Sequence, residues 1–298
     1  MRVLLVKGFF DDPGIRQACH PLGIMSVAAV LRDSGHEVRI HDMRVEGRDF
    51  ERLEEELRDF TPPVVGISAQ SSESASMKRI AGVVKKTNPG SVVVIGGPHA
   101  TAYGREASLD PNIDYVVVGE GEVATPKLVG RLASGQDAGD IPGLVYRRDG
   151  ELVETGRAEA CADLDSLPLP AYDLIPISKY RAFDRFSRTG TGDSMSIFTS
   201  RACPHNCIYC HDIFGKSFRA RSAESVFEEM VFLHDSYGIE GFEVLDDVFN
   251  LDRNRLLEIC DRIARSGMKT TLAFPNGLRG DILDEEQLAA LKKAGTIY

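Results

Sequence analysis

The first 135 residues alternate between two hydrophobic patterns. Short runs that are mostly apolar and β-branched, "RVLLV" (2–6), "EVRIHD" (37–42), "VVGISA" (64–69), "SVVVIGG" (91–97) and "DYVVVGE" (114–120), alternate with stretches of helical spacing at 21–34, 49–60, 73–87 and 122–134. Such strands, spaced by helices, predict a parallel sheet covered on both faces. The alternation then breaks. "GLVYRRDGELVETG" predicts a β-hairpin around Asp149-Gly150. "LDSLPLPAYDLIPISKY" follows, and its prolines suit an ordered linker rather than regular structure. From 194 a second series begins: "MSIFTS", a helix over 222–237, "GFEVLD", a helix over 252–267, "KTTLAF", a helix over 284–293, then "GTIY".

Five β/α units of this length fit an α/β, flavodoxin-like doubly wound parallel sheet with strand order 2-1-3-4-5. The second series holds three strand-helix units and the opening of a fourth strand. It reads as an incomplete (β/α) barrel, truncated at its C-terminal end, since half a barrel would expose an open edge. The expected domains are 1–138, a hairpin and linker at 139–192, and 193–298.

In doubly wound sheets ligands sit beyond the carboxyl ends of the strands. Here strand 1 runs into the long loop "KGFFDDPGIRQACHPLG", strand 3 into "AQSSES", strand 4 into "GGPHAT" and strand 5 into "GEGE". Glycines let a backbone approach a ligand, and amides at helix starts favour polar or anionic groups. Four such loops on one edge point to a sizeable ligand; ordinary tight turns are the bland alternative. No GxGxxG follows strand 1 and no G-x-x-x-x-G-K-[ST] is present, so nicotinamide and NTP fingerprints are missing.

Composition narrows the class. Hydrophobic residues make up 43% and charged residues 27% of the 298, as in a folded globular protein. A net charge of −10 argues against nucleic acid as a partner. No apolar run is long enough to span a bilayer, and "MRVLLVKGFF" is too short for a secretory signal. A cytoplasmic location follows, where clustered cysteines suggest metal or catalysis rather than disulfides.

Three of the six cysteines, Cys203, Cys207 and Cys210, lie within "SRACPHNCIYCHD" directly after a predicted strand. Cys19, Cys161 and Cys260 are scattered and read as small buried or loop thiols. The C-x3-C-x2-C spacing lacks the fourth ligand of a structural zinc site, although three thiolates and a water remain a zinc option. A C-x2-C redox pair would leave Cys203 unexplained. An iron–sulfur cube can be held by three thiolates with one iron left open.

C-x3-C-x2-C after the first strand of a β/α barrel, with Tyr209 before the third cysteine, closely resembles the radical S-adenosylmethionine (SAM) signature. The resemblance implies that the three thiolates bind a [4Fe–4S] cluster whose open iron chelates SAM, and that reductive cleavage yields a 5′-deoxyadenosyl radical. It also places Asp246 and Asp247 of "EVLDDVFN" at the SAM amino group, with a helix cap as the alternative for Asp247. Arg279 of "FPNGLRGDILDEEQLAALKKAG" would pair with a carboxylate, a surface ion pair being its alternative.

A flavodoxin-like domain with "PLG", "GGPHAT" and "GEGE", the "DSLPLPAYDLIP" linker and this cysteine motif together resemble the cobalamin-binding branch of radical SAM enzymes, across essentially all 298 residues. By that resemblance Gln70, Ser71 and Ser72 face the lower side of the corrin. Gly96, Gly97, Gly119, Glu120 and Gly121 border the nucleotide tail, with Pro98 and His99 beside it. The D-x-H-x-x-G motif that supplies a cobalt ligand in many B12 proteins is absent; His20, His41 and His99 lack its context, so base-off cobalamin without a histidine beneath cobalt is expected. The implied activity is methylation of an unactivated carbon of a small-molecule substrate, with electrons from a donor such as flavodoxin or ferredoxin. Alternatives are a radical SAM cyclase or rearrangement enzyme, a radical SAM enzyme that has lost cobalamin, a corrinoid-binding protein without catalysis, and a zinc protein.

Overall fold

Strand β1 (Arg2–Lys7) shows how the apolar runs fold. Its side chains alternate across the sheet, Val3 and Leu5 entering one core and Leu4 and Val6 the other. A strand buried on both faces has to be apolar throughout, and this is why the run lacks polar punctuation. The computed structural model describes residues 1–12, 14, 18–156, 158–183 and 193–297.

The chain divides into two compact units. The first comprises Met1–Arg16, Gly23–Cys161 and Pro168–Lys179; the second comprises Gln17–Leu22, Ala162–Leu167 and Tyr180–Tyr298. In the first, β1 is followed by α1 (Leu22–Asp33), β2 (Glu37–Asp42), α2 (Phe50–Phe60), β3 (Val64–Ser68), α3 (Ser74–Thr87), β4 (Val92–Gly96), α4 (Pro98–Ala107), β5 (Tyr115–Val117) and α5 (Gly121–Ser134). The five strands are parallel in the order β2-β1-β3-β4-β5, as the sequence predicts. Leu53 and Leu57 of α2, Met77 and Ile80 of α3 and Ala100 of α4 pack on one face. Ala28 and Leu31 of α1 with Leu128 and Val129 of α5 pack on the other.

Two features differ from the sequence reading. Helix α4 completes the five expected β/α units but was not located as a helical stretch in the sequence; it starts behind Gly97 with Pro98 in its first turn and is interrupted at Tyr103 (φ −133°, ψ 38°). The hairpin, β6 (Leu144–Arg148) and β7 (Glu151–Glu154), pairs antiparallel with β5 and extends the sheet to seven strands. Its turn has Asp149 at φ 53° and Gly150 at φ 86°, the left-handed pair that a two-residue hairpin turn requires.

After the short helix α6 (Ile177–Tyr180), the second unit holds β8 (Ser194–Ile197), β9 (Ser200–Arg201), β10 (Arg219–Ala220), α7 (Ala223–Tyr237), β11 (Gly241–Val244), α8 (Arg253–Ser266), β12 (Thr271–Ala273) and α9 (Glu285–Lys293). Strands β12-β11-β8 form a parallel sheet, while β9 and β10 pair as a short antiparallel ribbon. The single run "MSIFTS" thus serves two sheets. Each helix begins on a side-chain cap: Ser222 for α7, Asp252 for α8 and Asp284 for α9. Thr296 makes one parallel bridge to Leu272, where a fourth strand is expected to open. Tyr298 and the end of the expected linker, 184–192, lie outside the described residues, as do Pro13 and residues 15–17 of the loop after β1. Among the described residues no helix is long and apolar enough to cross a membrane.

Candidate cofactor sites

In the first unit the carboxyl ends of β1 to β5 present the residues expected to meet a ligand. Gln70, Ser71 and Ser72 follow β3 and are exposed, while Glu73, closing their turn, is 1% exposed. The Glu73 Oε2 accepts the Gln70 N–H at 2.7 Å, and the Glu73 N–H donates to the Gln70 carbonyl at 2.9 Å. Lys7, at the end of β1, donates its Nζ to the same Glu73 carboxylate. Burial, with the nearby Arg44 charge, pulls the Lys7 pKa below the ordinary lysine value against the attraction of Glu73 and Asp42. Arg44 in turn forks onto Asp42, Nε to Oδ1 at 2.9 Å and Nη2 to Oδ2 at 2.6 Å.

Gly97, behind β4, sits at φ 87°, and a Cβ there would lie 2.6 Å from Ser68 Oγ. Glycine is required on both counts. At Gly96 a Cβ would meet nothing within 4 Å, so open space borders that backbone. Thr101 Oγ1 donates to the Gly97 carbonyl and accepts the Gly119 N–H, each at 3.0 Å, tying the ends of β4 and β5 together. Gly119 has φ 92°; Glu120 is buried, and Gly121 opens α5 with room for no side chain, since a Cβ would lie 2.9 Å from Val27. Pro98 and His99 start α4. His99 donates its N–H to the Ala69 carbonyl at 3.0 Å, and its ring lies 3.4 Å from Ser71 Oγ and beside Tyr103. Partial burial, then the Lys78 charge, lowers the His99 pKa, which favours the neutral ring. The other two histidines weighed as cobalt ligands are engaged within their own units. His41 pairs with Glu56 at 2.6 Å, and His20 Nδ1 accepts the Ser196 N–H at 3.2 Å.

In the second unit the cysteine loop runs over 202–218 and is closed at its base by the ribbon of β9 and β10. Ala202, directly before Cys203, is 1% exposed and held at φ 69°, a conformation an alanine adopts only under constraint. Cys203 is half-buried, Cys207 and Cys210 are exposed, and all three are free thiols. The Cys210 N–H donates to the Cys207 carbonyl at 3.1 Å, and Lys216 Nζ donates to the His205 carbonyl at 2.8 Å. Tyr209 is 88% exposed. Among the described residues no three metal-ligating side chains are already gathered into one group.

Asp246, after β11, is 2% exposed and faces back into the unit. Its Oδ1 accepts the Thr199 N–H at 2.7 Å, and its Oδ2 accepts the hydroxyls of Thr199 at 2.5 Å and Ser200 at 2.6 Å. Its carboxylate therefore holds the strand that leads into the cysteine loop. Asp247 is oriented differently, 3.4 Å from His211 Nε2, and burial raises its pKa above the usual carboxylate value. Asp252, not Asp247, caps α8, accepting the Arg255 N–H at 3.0 Å. Arg279 pairs with Asp281. That pairing holds the guanidinium pKa above its ordinary value.

Sequence reasoning missed Asn250 in this role. It is 1% exposed, donates Nδ2 to the Arg279 carbonyl and accepts the Arg279 N–H, both at 2.9 Å, and so fixes the backbone from which Arg279 projects. Asn276 similarly donates to the Leu245 and Asp246 carbonyls at 3.1 and 3.2 Å. An Asn in a loop carries no signal of a partner 29 residues away.

The donor sets fit the groups the sequence points to. Three thiols on one surface loop suit a cluster that takes three thiolates, and His205 Nε2 in that loop is buried without a hydrogen-bond partner. The polar, glycine-lined carboxyl edge of the first unit suits a large polar ligand.

Comparison with known proteins agrees. Residues 15–129 match the family model described as the B12 binding domain. The chain is 34% identical over 284 residues to an uncharacterised methyltransferase of Pyrococcus horikoshii, covering 93% of this chain and 60% of that protein. It is 26% identical over 302 residues to the anaerobic magnesium-protoporphyrin IX monomethyl ester cyclase of Synechocystis, covering 99% of this chain and 59% of the relative. Among solved structures it shares the fold of the radical SAM methyltransferase TsrM from Kitasatospora setae, with cobalamin and a [4Fe–4S] cluster bound: TM-score 0.79, 21% identity, 99% of this chain and 57% of that one. The chain spans about 60% of the length of these relatives. A B12-binding-domain match thus precedes a cysteine motif at the end of a parallel strand, in a chain similar over nearly its whole length to a methyltransferase and a cyclase.

Proposed function

We propose that this chain supplies the cobalamin- and SAM-binding parts of a cobalamin-dependent radical SAM methyltransferase acting on a small-molecule substrate. The observation that carries the reading is the placement of Cys203, Cys207 and Cys210 on a ribbon-closed loop beyond a parallel strand, in a chain that also matches the B12-binding domain. Residues 1–138 are the cobalamin-binding domain, 139–192 the hairpin and linker, and 193–298 the first part of the SAM barrel.

When bound, the [4Fe–4S] cluster with SAM supplies a 5′-deoxyadenosyl radical and cobalamin a transferable methyl group, together sufficient to methylate an unactivated carbon. The chain's own residues hold and orient these groups. The three cysteine thiolates would ligate the cluster. Asp247 offers a carboxylate to the SAM ammonium, Arg279 a guanidinium to its carboxylate, and Tyr209 an exposed ring beside the third cysteine. Asp246 contributes by fixing Thr199 and Ser200 at the root of the loop. Gln70, Ser71 and Ser72 would contact the corrin, and Gly96, Gly97, Pro98, His99, Gly119, Glu120 and Gly121 would border its nucleotide tail. Electrons come from a cytosolic donor of the flavodoxin or ferredoxin kind. Ring closure in place of methyl transfer is the second reading, supported by the cyclase among the relatives.

The test is metal content after anaerobic purification and reconstitution with iron, sulfide and hydroxocobalamin. About four irons and about one cobalt per chain are expected, with iron reduced in Cys203→Ala. Cobalt without iron would confine the reading to a corrinoid-binding protein. Zinc retained against iron, with no cobalt, would sink it.

A further inference from the structure

Four ionisable side chains are buried around the ends of β1, β2 and β3: Lys7 (7% exposed), Asp42 (2%), Arg44 (8%) and Glu73 (1%). Lys7 stands in register with Asp42 on one side and Ser68 on the other, and Glu73 reaches it from the turn after β3. Removing paired charges from water is costly, and well-packed apolar side chains of similar volume often stabilise a protein as well or better. The cluster is therefore poorly explained by stability alone. Glu73 does one thing that an apolar residue cannot. The carboxylate oxygen that binds Lys7 also accepts the Gln70 N–H, and this fixes the turn carrying the exposed Gln70, Ser71 and Ser72. The same turn is anchored a second time. Ser76 Oγ donates to the Glu73 carbonyl at 2.8 Å and accepts the Phe9 N–H at 3.0 Å.

We propose that Glu73, clamped by Lys7, is a positioning residue that pre-organises the Gln70–Ser72 turn for the lower face of the corrin. This rests on the cobalamin reading given above. A rigid anchor beneath an exposed polar turn lowers the ordering cost of binding a large flat ligand, which is how buried support improves a surface site.

Two double variants of the full chain isolate the effect. Lys7→Met with Glu73→Gln removes both charges and keeps an acceptor for the Gln70 N–H. Lys7→Met with Glu73→Leu removes both charges and the acceptor. Hydroxocobalamin affinity is read by absorbance titration, and the cobalt environment by the EPR spectrum of the bound cob(II)alamin. The Gln variant is expected to bind within about threefold of the parent, and the Leu variant about tenfold more weakly, with an altered EPR spectrum, from loss of one ordering hydrogen bond. Equal affinities and identical spectra for the two variants would overturn the proposal and leave the cobalamin reading standing. A parent chain that binds no cobalamin would overturn both. Should the Leu variant fail to fold, hydrogen exchange in the parent decides: a Gln70 amide exchanging as fast as that of Ser71 refutes the anchor, and a protected one supports it.

Discussion

Replacing Asp246 by alanine tests whether the root of the cysteine loop depends on one carboxylate. The side chain is buried, as are Thr199 and Ser200, whose amide and two hydroxyls converge on it. In the alanine variant the buried Thr199 N–H loses its acceptor, which costs about 1–3 kcal/mol. The hydroxyls can turn elsewhere; Ser200 already lies 3.4 Å from the Val248 carbonyl. Arg255, buried beside them and donating to the Thr199 carbonyl at 2.7 Å, loses the carboxylate that most favours its charge. Stranding a buried cation adds to the loss, and the sum is about 3–5 kcal/mol. Asp246→Asn keeps an oxygen for the Thr199 amide and should cost about half as much. Because the chain has two units, a global melt would mix their transitions. Hydrogen exchange of the Ser194–Ala202 segment reads the local effect, with the alanine variant exchanging ~10²- to 10³-fold faster than the parent. Iron retained after reconstitution should fall with it. Exchange within threefold of the parent, or an asparagine variant as fast as the alanine one, would refute the assignment of Asp246 as a positioning residue.

Three further outcomes follow from local geometry. Gly97→Ala places a Cβ against Ser68 Oγ at a positive φ and should destabilise the first unit by about 2–4 kcal/mol in urea; adding Ser68→Ala should recover the steric part and leave about 1–2 kcal/mol of backbone strain. Burial pushes the Cys260 thiol up to about 12, so iodoacetamide at pH 8 should label Cys207 and Cys210 in the metal-free native chain but reach Cys260 only after unfolding. Since that thiol ionises in the unfolded chain from about pH 9, its contribution to stability should be lost progressively as pH rises from 9 towards 12. Asn250→Ala removes both bonds to the Arg279 backbone, and tryptic cleavage after Arg279 should accelerate about tenfold or more, measured by mass spectrometry of the released peptides.

The parallel sheet was legible because strands buried on both faces advertise themselves as unbroken apolar runs, and helices α1, α2, α3 and α5 because their buried positions recur at helical spacing. Helix α4 was hidden. Its ten residues include Pro98 and Gly104, its buried side is Ala100, Gly104 and Ala107, and small residues give little hydrophobic contrast. The attachment of the hairpin to β5 was hidden for another reason. Its turn is local chemistry, but pairing Tyr146 with Tyr115 depends on how the sheet is assembled. The same division runs through the sites. The cysteine spacing is local and was read directly, whereas the engagement of Asp246 by Thr199 and Ser200 is a contact across 46 and 47 residues. Composition can nominate an acceptor, but it cannot say which donor reaches it first.

The second unit borrows two short pieces from earlier in the chain, 17–22 and 162–167. His20 receives the amide of Ser196 in β8 across 176 residues, and both Asp165 oxygens receive the amide of Ser222, the cap of α7, at 3.0 Å. A fragment cut at 193 would leave both amides stranded, so this unit cannot be lifted out or exchanged between proteins as one contiguous cassette. During synthesis the loop carrying His20 must wait for most of the first unit to be made before β8 appears to meet it. That contact closes a very long loop, and the entropy of closing it has to be overcome when it forms.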